Sequence, residues 1–397
     1  MHGTSSPEFA LPLAMLVIFG SAKILAEVCE RLSMPAIVGE ILAGVLVGPS
    51  VLGWIEPNEF LSALANLGAM FLLFRVGMEV KSSELIRVGG TATVVALLGV
   101  VVPFAAGWLL MAAWGLPQIE QIFTGAAMVA TSVGITAQVL ASKGLLAERS
   151  SKIILAAAVI DDVLGLLILA VVSGMAQGSV NYVQIGITAA LAIGFTILVA
   201  LLGTRSMTKV VPRLGERLRL SESQFSFSLI LLFALALLAV YAGVAAIVGA
   251  FLAGMALSES VEERVKELTH GVTELLLPFF LAGIGLHVDL HTFANLPVLA
   301  LSIVISIAAV LSKLVGCGLG ALSLGKVDAI RVGVGMVPRG EVGMVVAQLG
   351  LALHVVRPDT YAVVVFMAVA TTLVAPPMLK LAFRGAGTGE QEVAEIS

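Results

Sequence analysis

The feature that most constrains this chain is a series of apolar runs, each about 20 residues long, that recurs along almost the whole sequence. A helix needs about 20 residues to cross roughly 30 Å of hydrocarbon at about 1.5 Å per residue. Of the 397 residues, 59% are hydrophobic and only 12% are charged, which is too little charge to cover a water-soluble fold. Backbone polar groups in lipid must be satisfied within their own segment, so the sequence predicts membrane-spanning helices.

Hydropathy divides the chain into about thirteen spans and predicts an all-α polytopic membrane protein. Residues 1–9 are predicted to form a short tail and residues 385–397 a polar, disordered one. The predicted spans are 9–31, 35–53, 58–79, 90–113, 119–142, 149–174, 180–204, 223–242, 243–258, 270–287, 294–323, 328–354 and 358–382.

The basic residues between spans predict the orientation. Lysine and arginine follow the odd-numbered spans, and only Arg357 follows an even-numbered one. Cytoplasmic loops carry the excess of lysine and arginine. The amino terminus is therefore predicted outside and the carboxyl terminus in the cytoplasm.

An internal repeat predicts the mechanistic class. Residues 36–39 (AIVG) recur as 246–249, an offset of 210, and residues 76–80 (VGMEV) resemble 284–288 (IGLHV), an offset of 208. Each match alone could be a small-residue packing pattern. The matched spans are an odd number apart, so the two halves are expected to be inverted in the membrane, which is the plan of secondary transporters.

Two spans are interrupted at corresponding positions of the halves. The fifth span contains residues 130–136 (ATSVGIT), and the twelfth contains residues 337–343 (VPRGEVG). Proline, glycine and polar residues interrupt helices and leave backbone carbonyls and half-helix ends free to face an ion. Simple kinks or a loop are the alternative. The pairing predicts two discontinuous helices that cross near an ion site.

Two adjacent acids, Asp161 and Asp162, lie near the middle of the sixth span. A carboxylate at the bilayer centre costs at least about 2.5–3.5 kcal/mol, so two of them require a functional compensation. Successive helical residues point about 100° apart, so the acids can face different partners. Either a proton or a metal ion can neutralise such a pair, and an ion–proton exchanger requires this competition. Two acids in a polar loop would fit poorly with the apolar residues on both sides.

Lys313 lies within the apolar eleventh span. A buried lysine is tolerable when paired with a carboxylate, and Asp161 or Asp162 is the natural partner. Snorkelling to the membrane surface is the alternative. The repeat positions of these acids fall at residues 369–372, which contain no acid, so the scaffold alone does not account for the charges.

Arg339 and Glu341 lie in the interrupted twelfth span. We expect them to support the break, either by compensating one another or by compensating the helix dipoles, rather than to bind the ion.

At these residues the sequence resembles the cation:proton antiporter superfamily, specifically the bacterial NapA-type Na⁺/H⁺ antiporters of its second family. The resemblance covers nearly the whole chain, and the order of its motifs is specific. The motifs are residues 35–40, 44–49, 130–136, Asp161 with Asp162, Lys313 and 338–343.

The resemblance implies an inverted-repeat fold of the NhaA/NapA type, in a homodimer whose core domain moves like an elevator. The implied scaffold and dimerisation domain comprises residues 1–89 and 223–293. The implied ion-transport core comprises residues 90–179 and 294–384. Residues 180–222 would form the linking helix and a cytoplasmic loop.

The resemblance also assigns roles to residues of the site. It implies that Asp162 is the principal ion carboxylate, that Asp161 pairs with Lys313, and that Thr131 and Ser132 are neighbours of the ion at the helix breaks. In this superfamily two acids with a lysine accompany electrogenic exchange of two protons per sodium ion. An asparagine at the first acid accompanies electroneutral exchange.

We therefore expect a Na⁺/H⁺ antiporter for pH homeostasis in the bacterial plasma (inner) membrane, with lipid and a second copy of the chain as its partners. It is expected not to be an enzyme and to use no cofactor, since Na⁺ and H⁺ are its substrates, with Li⁺ as a candidate third. Nothing in the sequence supports nucleic-acid binding. A K⁺/H⁺ antiporter or K⁺ efflux system, and a membrane sensor or scaffold, are the alternatives.

Overall fold

The computed structural model describes residues 7–32, 34–176, 182–217, 223–288 and 290–384. The described residues form fifteen α-helices joined by short connections, with 3₁₀ turns at His291–Ala294 and Leu322–Leu324. The helices are α1 (Pro7–Arg31), α2 (Ala36–Val47), α3 (Glu59–Met78), α4 (Ser82–Ala113), α5 (Gln118–Ala127), α6 (Val133–Ser142), α7 (Arg149–Ala176), α8 (Tyr182–Arg217), α9 (Ser223–Tyr241), α10 (Ala246–Leu257), α11 (Glu263–Leu286), α12 (Leu296–Gly320), α13 (Lys326–Gly335), α14 (Glu341–Ala352) and α15 (Pro358–Ala382).

Nine helices in the described part of the chain are long and apolar enough to cross a membrane. They coincide with nine of the predicted spans. The predicted spans 35–53 and 243–258 coincide with the twelve-residue helices α2 and α10, and the two interrupted spans coincide with the pairs α5–α6 and α13–α14. The chain is thus a membrane protein built from helices, as predicted.

Three helices extend seven or more residues beyond their predicted spans. Helix α4 begins at Ser82 rather than near residue 90, α8 continues to Arg217 rather than ending near 204, and α11 begins at Glu263 rather than near 270. Hydropathy detects only the part of a helix that suits lipid, whereas helical hydrogen bonding continues into polar residues. These helices therefore extend beyond their apolar stretches.

Close backbone contacts repeat between the two halves. A Cβ atom added to Gly44 would lie 1.9 Å from the carbonyl oxygen of Ala282, and one added to Gly254 would lie 2.0 Å from that of Phe74. Gly254 lies 210 residues after Gly44, and Ala282 lies 208 after Phe74. Each half thus supplies the glycine of one contact and the carbonyl of the other. This exchange is the signature of a pseudo-two-fold relation, in agreement with the predicted repeat.

A second pair of contacts is repeated inside each half rather than exchanged between the halves. Gly125 of α5 packs against the backbone of Phe104, and Gly333 of α13 packs against the backbone of Leu314. The offsets are again 208 and 210.

The helices pack mainly as two groups. Helices α4 and α12 lie side by side, with α7 and α5 against α4 and with α15 and α13 against α12. In the other group, α3 packs on both α10 and α11, α2 packs on α1 and α11, and α9 packs on α10. Helix α7, which carries the two acids, therefore lies in the first group.

Candidate ion site at the helix breaks

The two interrupted helices contact each other at their breaks. Helix α5 ends at Ala127 and α6 begins at Val133, while α13 ends at Gly335 and α14 begins at Glu341. The Ser132 N–H donates a hydrogen bond of 2.8 Å to the carbonyl of Pro338. Proline removes a donor and cannot continue a helix, and glycine tolerates the close approach of Ser132 to Gly340. The interruptions occur at the positions predicted from the sequence.

Asp161 is fully buried and has two partners. Its Oδ2 accepts a hydrogen bond of 3.1 Å from the Thr131 N–H. The Lys313 Nζ lies 3.1 Å from both carboxylate oxygens, and both side chains are 0% exposed. The predicted pairing of Lys313 with one of the two acids is therefore present, and Asp161 is the partner. Snorkelling of Lys313 is wrong, because α12 packs along α4 and holds the amine inside.

Asp162 faces a different part of the molecule. It is 5% exposed and lines a small cavity of about 10 Å³ between α7, α3 and α10, which has room for roughly one water-sized sphere. The rest of the lining is apolar, and includes Leu73, Val159 and Phe251. As the helical spacing predicted, the two acids diverge. One is bound to Lys313, and the other borders the space between the two helix groups.

Thr131 and Ser132 lie at the first break and are both buried. The Thr131 hydroxyl has no hydrogen-bond partner in the described part of the chain, although its N–H is bound to Asp161. A buried hydroxyl oxygen without a partner costs free energy unless a ligand or water satisfies it. Thr131 therefore has a hydroxyl oxygen available to a cation near Asp161.

Arg339 is fully buried at the second break and binds backbone carbonyls. Its guanidinium donates to Met336 at 3.2 Å, to Val337 at 2.8 Å and to Ala309 of α12 at 3.0 Å. Met336 and Val337 follow the last turn of α13, where the helix dipole is negative. Arg339 was expected to compensate either Glu341 or the helix dipoles. Its hydrogen bonds show that it compensates the negative end of the α13 dipole. Glu341 begins α14, but its side chain lies outside the described part, so its role in the break stays a prediction.

Sequence reasoning missed two threonines that occupy the repeat positions of the acids. Thr371 and Thr372 lie 210 residues after Asp161 and Asp162, and Arg339 lies 208 after Thr131. The Arg339 N–H donates to the Thr371 hydroxyl at 3.1 Å, as the Thr131 N–H donates to Asp161. The Thr372 hydroxyl donates to the Arg339 carbonyl at 2.6 Å. The repeat offset was the signal that could have found them.

A buried acid at the start of α5 was also missed. Glu120 is 2% exposed, and it accepts hydrogen bonds from the Arg357 guanidinium at 2.9 Å and from the Thr360 hydroxyl. This contact ties the first half-helix to the start of α15. Its sequence signal was weak because Glu120 lies near a predicted span end.

A protein-family model described as sodium/hydrogen exchanger, transmembrane, matches residues 15–385 of the chain. The protein belongs to this family. The membership confirms the resemblance to the cation:proton antiporter superfamily, and the family's members are membrane transporters. The chain is thus a membrane protein of a cation/proton antiporter family.

Relatives in this family align over nearly their full length. The chain is 34% identical over 387 residues to the Na⁺/H⁺-K⁺ antiporter GerN of Bacillus cereus, covering 95% of this chain and 96% of GerN. It is 34% identical over 416 residues to the high-affinity Na⁺/H⁺ antiporter NhaS3 of Synechocystis sp., covering 94% of this chain and 90% of NhaS3.

The solved structure of the sodium proton antiporter MjNhaP1 from Methanocaldococcus jannaschii has the same fold. Its TM-score is 0.73 at 17% sequence identity, and the match covers 96% of this chain and 97% of that one.

Proposed function

We propose that this protein is a secondary active antiporter that exchanges Na⁺ for H⁺ at Asp161 and Asp162. The observation that carries the proposal is the pair of buried acids on α7, of which Asp161 binds Lys313 and Asp162 lines the cavity between the helix groups. A buried carboxylate is costly when ionised, and a proton or a sodium ion reduces that cost. The two cations compete for one place, which couples their movements.

The repeat relation suggests which atoms share the transported ion. In the second half, the Thr372 hydroxyl donates to the Arg339 carbonyl. The equivalent atoms in the first half are the Asp162 carboxyl and the Thr131 carbonyl. A protonated Asp162 can donate to a carbonyl as Thr372 does. An ionised Asp162 cannot, and a sodium ion between the two oxygens then takes the place of the proton.

Two features of the first helix break support Thr131 and Ser132 as neighbours of the ion. Sodium is a hard cation, so we expect oxygen ligands. The Thr131 hydroxyl is buried, has no hydrogen-bond partner in the described part of the chain, and belongs to a residue whose N–H binds Asp161. Ser132 directly precedes α6, where the positive end of the helix dipole faces the break. The described residues contain no cluster of three or more metal-binding acid, histidine or cysteine side chains, so the proposed site combines the two acids with hydroxyl and backbone oxygens.

Exchange is proposed to be electrogenic, with two protons per sodium ion. Lys313 neutralises Asp161 through two contacts of 3.1 Å. If that pair separates during the cycle, Asp161 can also exchange a proton, which adds the second proton.

The proposed architecture has thirteen spans in an inverted repeat, with the breaks of α5–α6 and α13–α14 crossing at the site. The first helix group and its neighbours would form the moving core (residues 90–179 and 294–384). Residues 1–89 and 223–293 would form the scaffold of a homodimer, with residues 180–222 as the linker. The amino terminus would lie outside the bacterial inner membrane and the carboxyl terminus in the cytoplasm.

A K⁺/H⁺ antiporter is the second candidate. It is favoured by the relation to GerN, whose name includes both Na⁺ and K⁺. The two functions differ in the size and number of ligands of the ion site, so measurement of ion selectivity separates them.

Purified protein in liposomes that contain a pH-sensitive dye tests the proposal. An inward Na⁺ gradient should drive protons out, and K⁺ at the same concentration should drive few. A larger response to K⁺ would move the assignment to the second candidate, and no response to either cation would refute antiport.

The role of Asp162 is tested by Asp162→Asn, with Asp359→Asn as the matched control. Asp359 is exposed in the first turn of α15, so its substitution should leave flux unchanged. Asp162→Asn should abolish Na⁺-driven proton flux while the protein still elutes as a folded species in gel filtration. Flux of wild-type size in Asp162→Asn would remove this residue from the mechanism.

A further inference from the structure

A basic pocket lies between the N-terminal parts of α4 and α7, away from the ion site. Its volume is about 360 Å³, within the roughly 300–1,000 Å³ that small-ligand sites occupy. Three basic side chains and one acidic side chain line it, namely Arg87, Arg149, Lys152 and Glu84. The lining therefore carries two positive charges in excess when all four groups are ionised.

The acidic residue of the pocket, Glu84, already forms an ion pair with one of the three basic residues. The Lys152 Nζ lies 2.9 Å from the Glu84 carboxylate. Within the described ranges, neither Arg87 nor Arg149 makes an ion pair. Both are exposed. The pocket thus presents two guanidinium groups, and a planar guanidinium can donate two parallel hydrogen bonds to two oxygens of a phosphate.

Comparison of the two repeat halves shows that Arg149 lacks the acidic partner that its counterpart in the second half has. Arg357 lies 208 residues after Arg149 and is bound by the buried Glu120. The acid 208 residues after Glu120 is Asp328, and it binds Arg331 at 3.3 Å instead of Arg149. The contact that neutralises Arg357 therefore has no counterpart at Arg149.

The two arginines lie at the boundary of the membrane. Arg87 lies three residues before the predicted apolar span 90–113, and Arg149 is the first residue of α7 and of the predicted span 149–174. Val88 and Ile153 line the same pocket, so it joins an apolar wall to a charged one. The proposed orientation puts this boundary on the cytoplasmic side, where the leaflet carries anionic lipid.

We infer that this pocket binds the phosphate group of an anionic phospholipid from the cytoplasmic leaflet. The headgroup phosphate lies between Arg87 and Arg149, and the first turn of α7, which begins at Arg149, adds its positive end to the same site. The inference rests on the proposed orientation, but it does not depend on which ion is transported. Helix α7 also carries Asp161 and Asp162, so the bound lipid anchors the helix of the ion site to one leaflet.

Delipidated protein in detergent tests the inference by native mass spectrometry with dioctanoyl phosphatidylglycerol, and with dioctanoyl phosphatidylcholine for comparison. The wild type should bind the anionic lipid more tightly. A basic residue near a charged membrane surface contributes about fivefold in affinity, so Arg87→Gln with Arg149→Gln should weaken binding roughly 25-fold. Glu84→Gln should tighten it, and a variant that only damages the fold would not do so.

The matched control is Lys143→Gln with Lys326→Gln, which removes two exposed charges from the same predicted face outside the pocket. Equal weakening in this control, or equal binding of the two lipids, would overturn the site. Displacement of the lipid by inorganic phosphate at similar concentration would assign the pocket to a soluble anion instead. Lipid binding is measured in detergent, without transport. Absence of lipid binding would therefore not contradict the antiport proposal, and absence of antiport in liposomes would not contradict the lipid site.

Discussion

Replacing Lys313 by methionine should destabilise the protein far more than the loss of an ordinary surface ion pair. The amine lies 3.1 Å from both oxygens of Asp161, and neither side chain is exposed. Removing one partner of a buried pair leaves an uncompensated charge, which costs about 3–5 kcal/mol. Lys313→Met should lower the free energy of unfolding by this amount.

A second substitution should restore most of that loss. Asp161→Asn removes the stranded charge, and its side-chain oxygen can still accept the hydrogen bond from the Thr131 N–H. Replacing both members of a buried pair by neutral groups is often close to neutral. The variant with Lys313→Met and Asp161→Asn should therefore unfold within about 1 kcal/mol of the wild type.

Equilibrium unfolding in mixed detergent micelles measures these differences. Arg31→Met is the control, because it breaks an exposed ion pair with Glu27 and should cost at most about 1 kcal/mol. The reasoning fails if Lys313→Met costs no more than this control, or if the double variant is as unstable as the single one. In liposomes, the double variant should also lose the dependence of Na⁺/H⁺ exchange on an imposed membrane potential.

Three further substitutions test other parts of the structure. Gly44→Ala places a methyl group against the Ala282 carbonyl and should cost about 1–3 kcal/mol in the same unfolding assay, whereas Gly20→Ala, with open space around it, should cost nothing; equal effects would refute the close contact. Arg339→Met leaves three carbonyls without their donor and should cost at least about 3 kcal/mol, and an unchanged unfolding curve would contradict that role. Thr131→Val should raise the Na⁺ concentration for half-maximal proton flux about tenfold with stability retained, and an unchanged value would exclude the hydroxyl as a ligand.

The spans were predictable because a helix in lipid must satisfy its own backbone. That requirement is local, so runs of apolar residues indicated where α1, α3, α7 and α15 lie. The extension of α8 to Arg217 was not predictable from hydropathy, because a helix continues through polar residues at no cost to its hydrogen bonds.

The repeat was visible in the sequence, but its physical meaning was not. The motif around Gly44 recurs around Gly254, and the offset was readable without a structure. Only the packing showed that each glycine admits a carbonyl from the opposite half. Gly44 and Ala282 are 238 positions apart, and no local sequence pattern indicates that they are in contact.

Asp161, Asp162 and Lys313 were recognisable from the sequence as charges within apolar membrane spans. The residues themselves left open whether Lys313 is buried or reaches the membrane surface, and the spacing of adjacent helical residues permits either acid as its partner. Tertiary structure decided this when α4 and α12 packed together and α7 turned Asp161 toward the amine. It also decided that Arg339 binds carbonyls of α13 and α12, because the ends of broken helices meet their partners only when the chain is folded.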